Sequence, residues 1–236
     1  MNNTGSEGAQ KVGESPGTHV FLYEPLAPDA DLESWYQLRR DLYLAERLIA
    51  PSELDAEGRY IDKYDPRSEH ILMYNEADAG TPIGTCRIID GRRGPLQVAD
   101  QFGIEHSAHA LEVSGFAILP EYRKTFATLG CYWLVYQRAV TRGYDEIHFE
   151  VEIPFRNTLV ALGLPILQTG AKQFVYNAVN VPLKVTTSEV VSGLSEADRN
   201  RGNTTRFAEL FERPFDGVLD TASLFGPADT HQETLA

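Results

Sequence analysis

Glu112 and Ser114 stand two residues apart at the head of the stretch EVSGFAILPEYRK, residues 112–124. On an extended strand that spacing puts both side chains on one face, with a carboxylate that can take a proton beside a hydroxyl that can orient a neighbour. The stretch ends in Arg123 and Lys124, just ahead of a helical run over 129–142. Free N–H groups at a helix start, reinforced by two cations, suit an anion. Asp62 and Asp65, three residues apart, fit two arrangements: pairing with Arg39 or Arg87, or a helix cap followed by an Asp-Pro turn. Arg87 sits in the otherwise apolar IGTCRII, 83–89, so it needs a partner if it faces inward. His106 and His109 have a metal-compatible spacing, but no third ligand stands near them and no metal is expected. Cys131 has no evident base beside it and is not read as a nucleophile.

The elements that must hold these groups follow from pattern. A strand over 113–119 is closed by Pro120, and Gly143 is placed to end the helix 129–142 before a strand over 146–151. A strand, helix, strand unit of this kind is parallel and right-handed. Upstream, HVFLY at 19–23 reads as a strand, and apolar residues recur at helical spacing from Asp31 to Ile49, where Pro51 stops them. The acidic stretch 52–70 has no clean period and reads as a long loop with room for one helical turn, of a length that is usually functional or disordered. Runs at 71–74 and 83–89, joined by the polar NEADAGTP, suggest an antiparallel hairpin, and 91–110 reads as irregular. A short helix over 155–162, strands at 174–176 and 181–190 and a helix over 195–211 complete the pattern. The order describes a mixed α/β fold with one parallel crossover. It divides into a disordered leader (1–17), a single domain (18–212) and a flexible tail (213–236).

Composition narrows the function classes. The formal net charge of −13 over 236 residues argues against general nucleic-acid binding and against resting on an anionic membrane. Only Cys86 and Cys131 are present and no apolar run approaches a membrane span, so a cytoplasmic protein without a disulfide framework or membrane insertion is expected.

Four pieces in this order, LRRDLY (38–43), DKYD (62–65) followed by SEHIL, IGTCRII (83–89) and EVSGFAILPEYRK, resemble the GNAT acyltransferase fold. Within it they are similar to the autoinducer-synthase branch, the acyl-homoserine-lactone synthases and long-chain N-acyl amino acid synthases. The resemblance spans roughly residues 38–182. It implies a mostly antiparallel mixed sheet with one parallel crossover, a splayed strand pair and helices on both faces. It also implies transfer of a fatty acyl group from acyl-carrier protein, or less favourably coenzyme A, to the amine of an amino acid.

The resemblance makes Glu112 and Ser114 the catalytic pair, and Arg39, Asp62, Asp65 and Arg87 the ion-pair network beside the amine. Phe116, Trp133, Tyr136 and Phe149 would line the acyl or pantetheine slot, and Arg123 with Lys124 would meet the carrier protein or a phosphate. No resident cofactor is implied, because the donor carries its own phosphopantetheine. Tyr60 and Gly115 stand where lactone synthases carry charges, which argues against a homoserine-lactone product. The turn RKTFATLG has no glycine before Gly130, which argues against a pyrophosphate cradle for coenzyme A. Arg92, Arg93, Arg138 and Arg142 are expected to join Arg123 and Lys124 in a basic patch for an acidic carrier. An acyl-homoserine-lactone synthase is the runner-up, and acylation of a peptide N-terminus or an ornithine-type lipid head, and a non-catalytic acyl- or carrier-binding module, are the further alternatives.

Overall fold

The computed structural model describes residues 19–27, 30–78, 80–123 and 125–225. The expected leader, the last part of the expected tail, and Lys124 lie outside the described residues.

Strand β1 (Val20–Pro25) leads to helix α1 (Glu33–Ala45), and β2 (Ser68–Asn75) and β3 (Pro82–Asp90) form the expected hairpin. Short helix α2 (Gln97–Phe102) precedes β4 (Ala110–Ile118), α3 (Ala127–Arg142), β5 (Glu146–Glu152) and α4 (Ile153–Leu162). The chain continues through β6 (Ile166–Gln168), β7 (Gln173–Val175), β8 (Ala178–Thr186), α5 (Val190–Asn200), α6 (Phe207–Glu212) and β9 (Val218–Asp220). These strands build one nine-stranded sheet in the order β6, β8, β5, β4, β3, β2, β1, β9, with β7 also on β8. Neighbours run antiparallel except β4 and β5, which α3 joins as a parallel crossover. The sheet is therefore the mixed, mostly antiparallel one expected, with helices on both faces.

Two apolar cores cover the faces. The larger buries Leu134, Val135, Leu194 and Phe211 of α3, α5 and α6 against Phe21, Ile71, Ile88 and Leu183 of the strands. The smaller packs Val98, Ala99 and Phe102 of α2 on Ile89 and Ala110, under Tyr64. Helix α1 is pinned to the same face as α2 by Trp35, whose indole N–H is shared between the carbonyls of Ile71 and Cys86, each 3.2 Å away. The second carbonyl is free to accept because the β3–β4 register shifts between Thr85 and Arg87.

The pattern misjudged several boundaries. Helix α1 ends at Ala45 rather than near Ile49, and Arg47 has φ +58°. Ile49 is buried all the same, so its apolar side chain extended the helical period without the backbone following it. Helix α2 escaped notice because six residues are too few to show a period. The helix expected over 195–211 is two helices, broken at Gly202 and Asn203, both at positive φ. Residues 213–225 are not a tail: β9 pairs antiparallel with β1, and Leu219 and Leu224 are buried. That strand covers what would otherwise be the exposed edge of the sheet.

Candidate active site

Arg87 on β3 is the hub of a buried polar cluster. Its Nε donates to Ser114 Oγ at 3.0 Å, its Nη1 to Asp62 Oδ1 at 2.8 Å and to Asp65, and its Nη2 to Gln97 Oε1 at 2.6 Å. Arg39, one α1 turn beyond Trp35, donates to Asp65 Oδ1 at 3.2 Å and to the Tyr60 carbonyl at 2.7 Å. Its guanidinium lies 4.6 Å from the Trp35 ring centre and 4.7 Å from that of Tyr60. The two arginines thus face two aspartates, and the cluster is electrically balanced. Burial alone would raise the Asp65 carboxyl, but the His70 hydrogen bond and the two guanidiniums hold it well below the usual carboxylate range. Of the two arrangements open for Asp62 and Asp65, the pairing with the arginines is the one present, and the helix cap is not formed. Asp62 Oδ1 also accepts the Tyr64 N–H at 2.8 Å ahead of a 3-10 turn at Asp65.

Strands β4 and β5 pair only from Ala110 with Glu146 to Glu112 with His148, although β4 runs on to Ile118 and β5 to Glu152. Beyond that pair they part, and a cavity of about 630 Å³ passes through the gap. On the α1 and α2 face its wall is polar, with Arg39, Asp62, Arg87, Gln97, Ser114 and Glu150 under a rim of Tyr43, Tyr60 and Tyr176. On the opposite face it is apolar, with Val135, Ile147, Phe149, Leu159, Val190 and Phe211. One space therefore joins a polar chamber to an apolar one, at the point where backbone groups of β4 have lost their ladder partner.

Gly115 lies just beyond the last β4–β5 pair and distorts β4 on its β3 side. At φ +58° it is the extra residue of a bulge, since Ser114 lies opposite Arg87 while Ala117 lies opposite Thr85. A Cβ there would come within 3.1 Å of Arg87 Cβ and 3.2 Å of Trp35 Cζ2. Trp35 thus fills the space beside Gly115, and the Tyr60 ring lies on Arg39. Gly115→Ala is expected to lower the unfolding free energy by about 1–3 kcal/mol, measured by urea titration, because the left-handed backbone and the two contacts both oppose it.

Of the residues picked from sequence, Arg39, Asp62, Arg87 and Ser114 come together on the cavity wall, with Asp65 buried behind them. Phe116, Tyr136 and Phe149 also line it. Trp133 does not: it lies on the flank of α3 turned toward the C-terminal segment, its indole N–H on the Arg213 carbonyl at 3.1 Å and its ring against Phe215. Glu112 is fully buried off the wall. Its Oε2 accepts the Val98 N–H at 3.0 Å and its Oε1 has no partner. Burial raises its pKa to about 8, with the Val98 N–H opposing and the Glu150 charge adding. Cys131 is sealed in the core beside Cys86. Arg123 stands on the rim, bonded to Glu46 at 2.9 Å. The wider basic patch does not assemble, because Arg138 and Arg142 lie roughly 20 Å away toward the far end of α3 and are held by Glu69. Arg92 packs there too, over the Tyr144 ring. His106 and His109 are exposed, and among the described residues no group of three metal-ligating side chains stands together.

Glu150 and Tyr176 were missed. Glu150 alternates with Phe149 on β5, and only the aromatic neighbour was read as functional, although a carboxylate on that face was visible in EIHFEV. Tyr176 sits in the β7–β8 turn with Asn177, both at positive φ, a position that usually takes Asn or Gly. Its hydroxyl accepts from Gln97 Nε2 at 2.5 Å, and Asn177 reaches the Arg47 carbonyl at the end of α1. The turn is thus tied across the mouth of the polar chamber.

A family model described as N-acyl amino acid synthase FeeM matches residues 34–156, which hold α1, the polar cluster and both parting strands. No curated protein sequence matches the chain. Among solved structures, FeeM, an N-acyl amino acid synthase from uncultured soil microbes, is 18% identical, with 76% of this chain and 96% of that one covered and a TM-score of 0.56. BjaI, a CoA-dependent acyl-homoserine lactone synthase, is 17% identical over 78% of this chain and 90% of its own, at a TM-score of 0.60. The AHL synthase LasI is 19% identical over 72% and 91%, at 0.57. At these identities the structural likeness is one of fold.

Proposed function

The chain belongs to the N-acyl amino acid synthase FeeM family of amide-forming acyltransferases, and on that premise we propose that it moves a fatty acyl group from acyl-carrier protein to the amine of an amino acid. The observation that carries this reading is the single cavity through the parted strands. A thioester held in the gap would keep its chain in the apolar chamber and its carbonyl facing the polar one, where an ammonium group finds Asp62, Ser114 and the tyrosine hydroxyls. Ser114 Oγ accepts from Arg87 Nε and keeps a second lone pair that can accept an N–H of the amine and orient it. The unpaired β4 backbone near Phe116 would supply donors for the carbonyl oxygen as it turns anionic. No resident cofactor enters, since the pantetheine arm arrives with the donor.

The carrier protein is favoured over coenzyme A by the glycine-poor turn ahead of α3 and by Arg123 at the rim. Purified protein incubated with acyl-carrier protein and a pool of amino acids is expected to yield an acyl amino acid by mass spectrometry. A lactone from S-adenosylmethionine, or no amide with any amine, would overturn the reading. Arg123→Glu is expected to raise KM for acyl-carrier protein about tenfold and to change KM for acyl-CoA far less. Equal effects on both donors would remove the docking role.

A further inference from the structure

We infer that Glu150 is the catalytic residue that takes the proton from the attacking amine, an assignment that rests on the acyl-transfer reading above. It stands on β5 two residues past His148, the last residue paired with β4, and so at the first position on its face where the gap is open. The other carboxylates are unsuited to the step. Asp65 is buried among Arg39, Arg87 and His70, and Asp62 Oδ1 is shared between Arg87 and the Tyr64 N–H. Glu112 is enclosed behind the wall, Glu46 is bound to Arg123 at the rim, and Glu152, at the end of β5, is exposed to solvent where the cavity opens. Among the described residues, Glu150 faces the polar chamber with no cation bonded to it. With the Gln101 amide nitrogen turned toward it, that side chain donates to its oxygens at 3.0 and 3.2 Å and fixes its rotamer against α2.

The groups facing Glu150 are Tyr43 of α1, Gln101 of α2, Arg87 of β3, Glu112 of β4 and Tyr176 of the β7–β8 turn. Burial lifts the Glu150 carboxyl to about 7, while burial also pushes Tyr43 up to about 12 and raises Tyr176, so both phenols stay neutral. In the step, ionised Glu150 takes one proton from the ammonium. The nitrogen lone pair then forms the C–N bond, the C–S bond breaks, and the second nitrogen proton ends on the departing pantetheine thiolate. Glu150 returns its proton to water.

For the wild-type protein, kcat/KM is expected to rise with pH through about 7. Glu150→Gln is expected to lower kcat about 10²-fold and to erase that bend. The urea midpoint should not fall, because the amide also removes a carboxylate that burial disfavours, and Glu150→Asp should restore part of kcat and a displaced bend. Wild-type kcat in Glu150→Gln, or a surviving bend near pH 7 in that variant, overturns the assignment. So does loss of the bend in Glu112→Gln instead. A wild-type protein that forms no amide with any acceptor overturns the acyl-transfer reading and this assignment with it.

Discussion

Replacing Arg87 by alanine is expected to lower the unfolding free energy by about 3–5 kcal/mol and to abolish acyl transfer. The guanidinium is about 1% exposed and serves Ser114, Asp62, Asp65 and Gln97 together, so its removal leaves Asp65, 2% exposed, with half of its compensation. Taking a buried charge's partner away costs more than the pair contributed, because the survivor keeps its desolvation penalty. Arg87→Lys should recover only part of the loss. A point ammonium cannot span the planar fork of partners that runs from Ser114 to Gln97. Urea unfolding at neutral pH measures both variants. A loss under about 1 kcal/mol for Arg87→Ala would show that water enters the cluster freely and that its balance is not what holds β3 to the loop at Asp62.

Glu112→Gln is expected to make the protein more stable in mild alkali and to flatten its pH dependence. The folded carboxyl titrates near 8 instead of the ordinary 4.5, chiefly through burial. Between those values the native state holds a proton that the unfolded chain has released, so wild-type stability falls as pH rises from about 5 to 8. Below the unfolded value the contribution is complete. Above the folded value it is gone, and the deficit is on the order of 5 kcal/mol. Glutamine keeps the shape and an oxygen for the Val98 N–H without a charge to bury. Glu150 shifts in the same direction and is present in both proteins, and because its charge helps to raise Glu112, the difference between the two proteins contains that coupling as well. Asp65 has the opposite sign, stabilising above the usual carboxylate range and losing its contribution only as pH falls below it. Thermal unfolding of the two proteins from pH 5 to 8.5 reads the effect. Parallel curves would mean that Glu112 is ionised in the folded state.

The amino-acid sequence by itself determined the long elements and named the charged members of the polar cluster. β2, β3, β4, α3 and β5 announce themselves because their apolar periods are long and local, and the α3 crossover then makes β4 and β5 parallel without further information. Arg87 in an apolar strand demanded a partner, and Asp62 and Asp65 were the carboxylates spaced to supply one. What tertiary structure alone decided was which side chains reach the gap. Whether Trp133 or Tyr136 lines the slot depends on the roll of α3 against the sheet, a matter of a single turn that both aromatic residues satisfy equally in the sequence. Whether Glu112 or Glu150 meets the cavity depends on where the β4–β5 ladder ends. Its end is marked by the bulge at Gly115 and by the loss of pairing after Glu112, long-range features with no local signature. Tyr176 belongs to the same class. A tyrosine in a left-handed turn reads as a poor turn residue until Gln97, 79 residues away in sequence, is seen holding its hydroxyl.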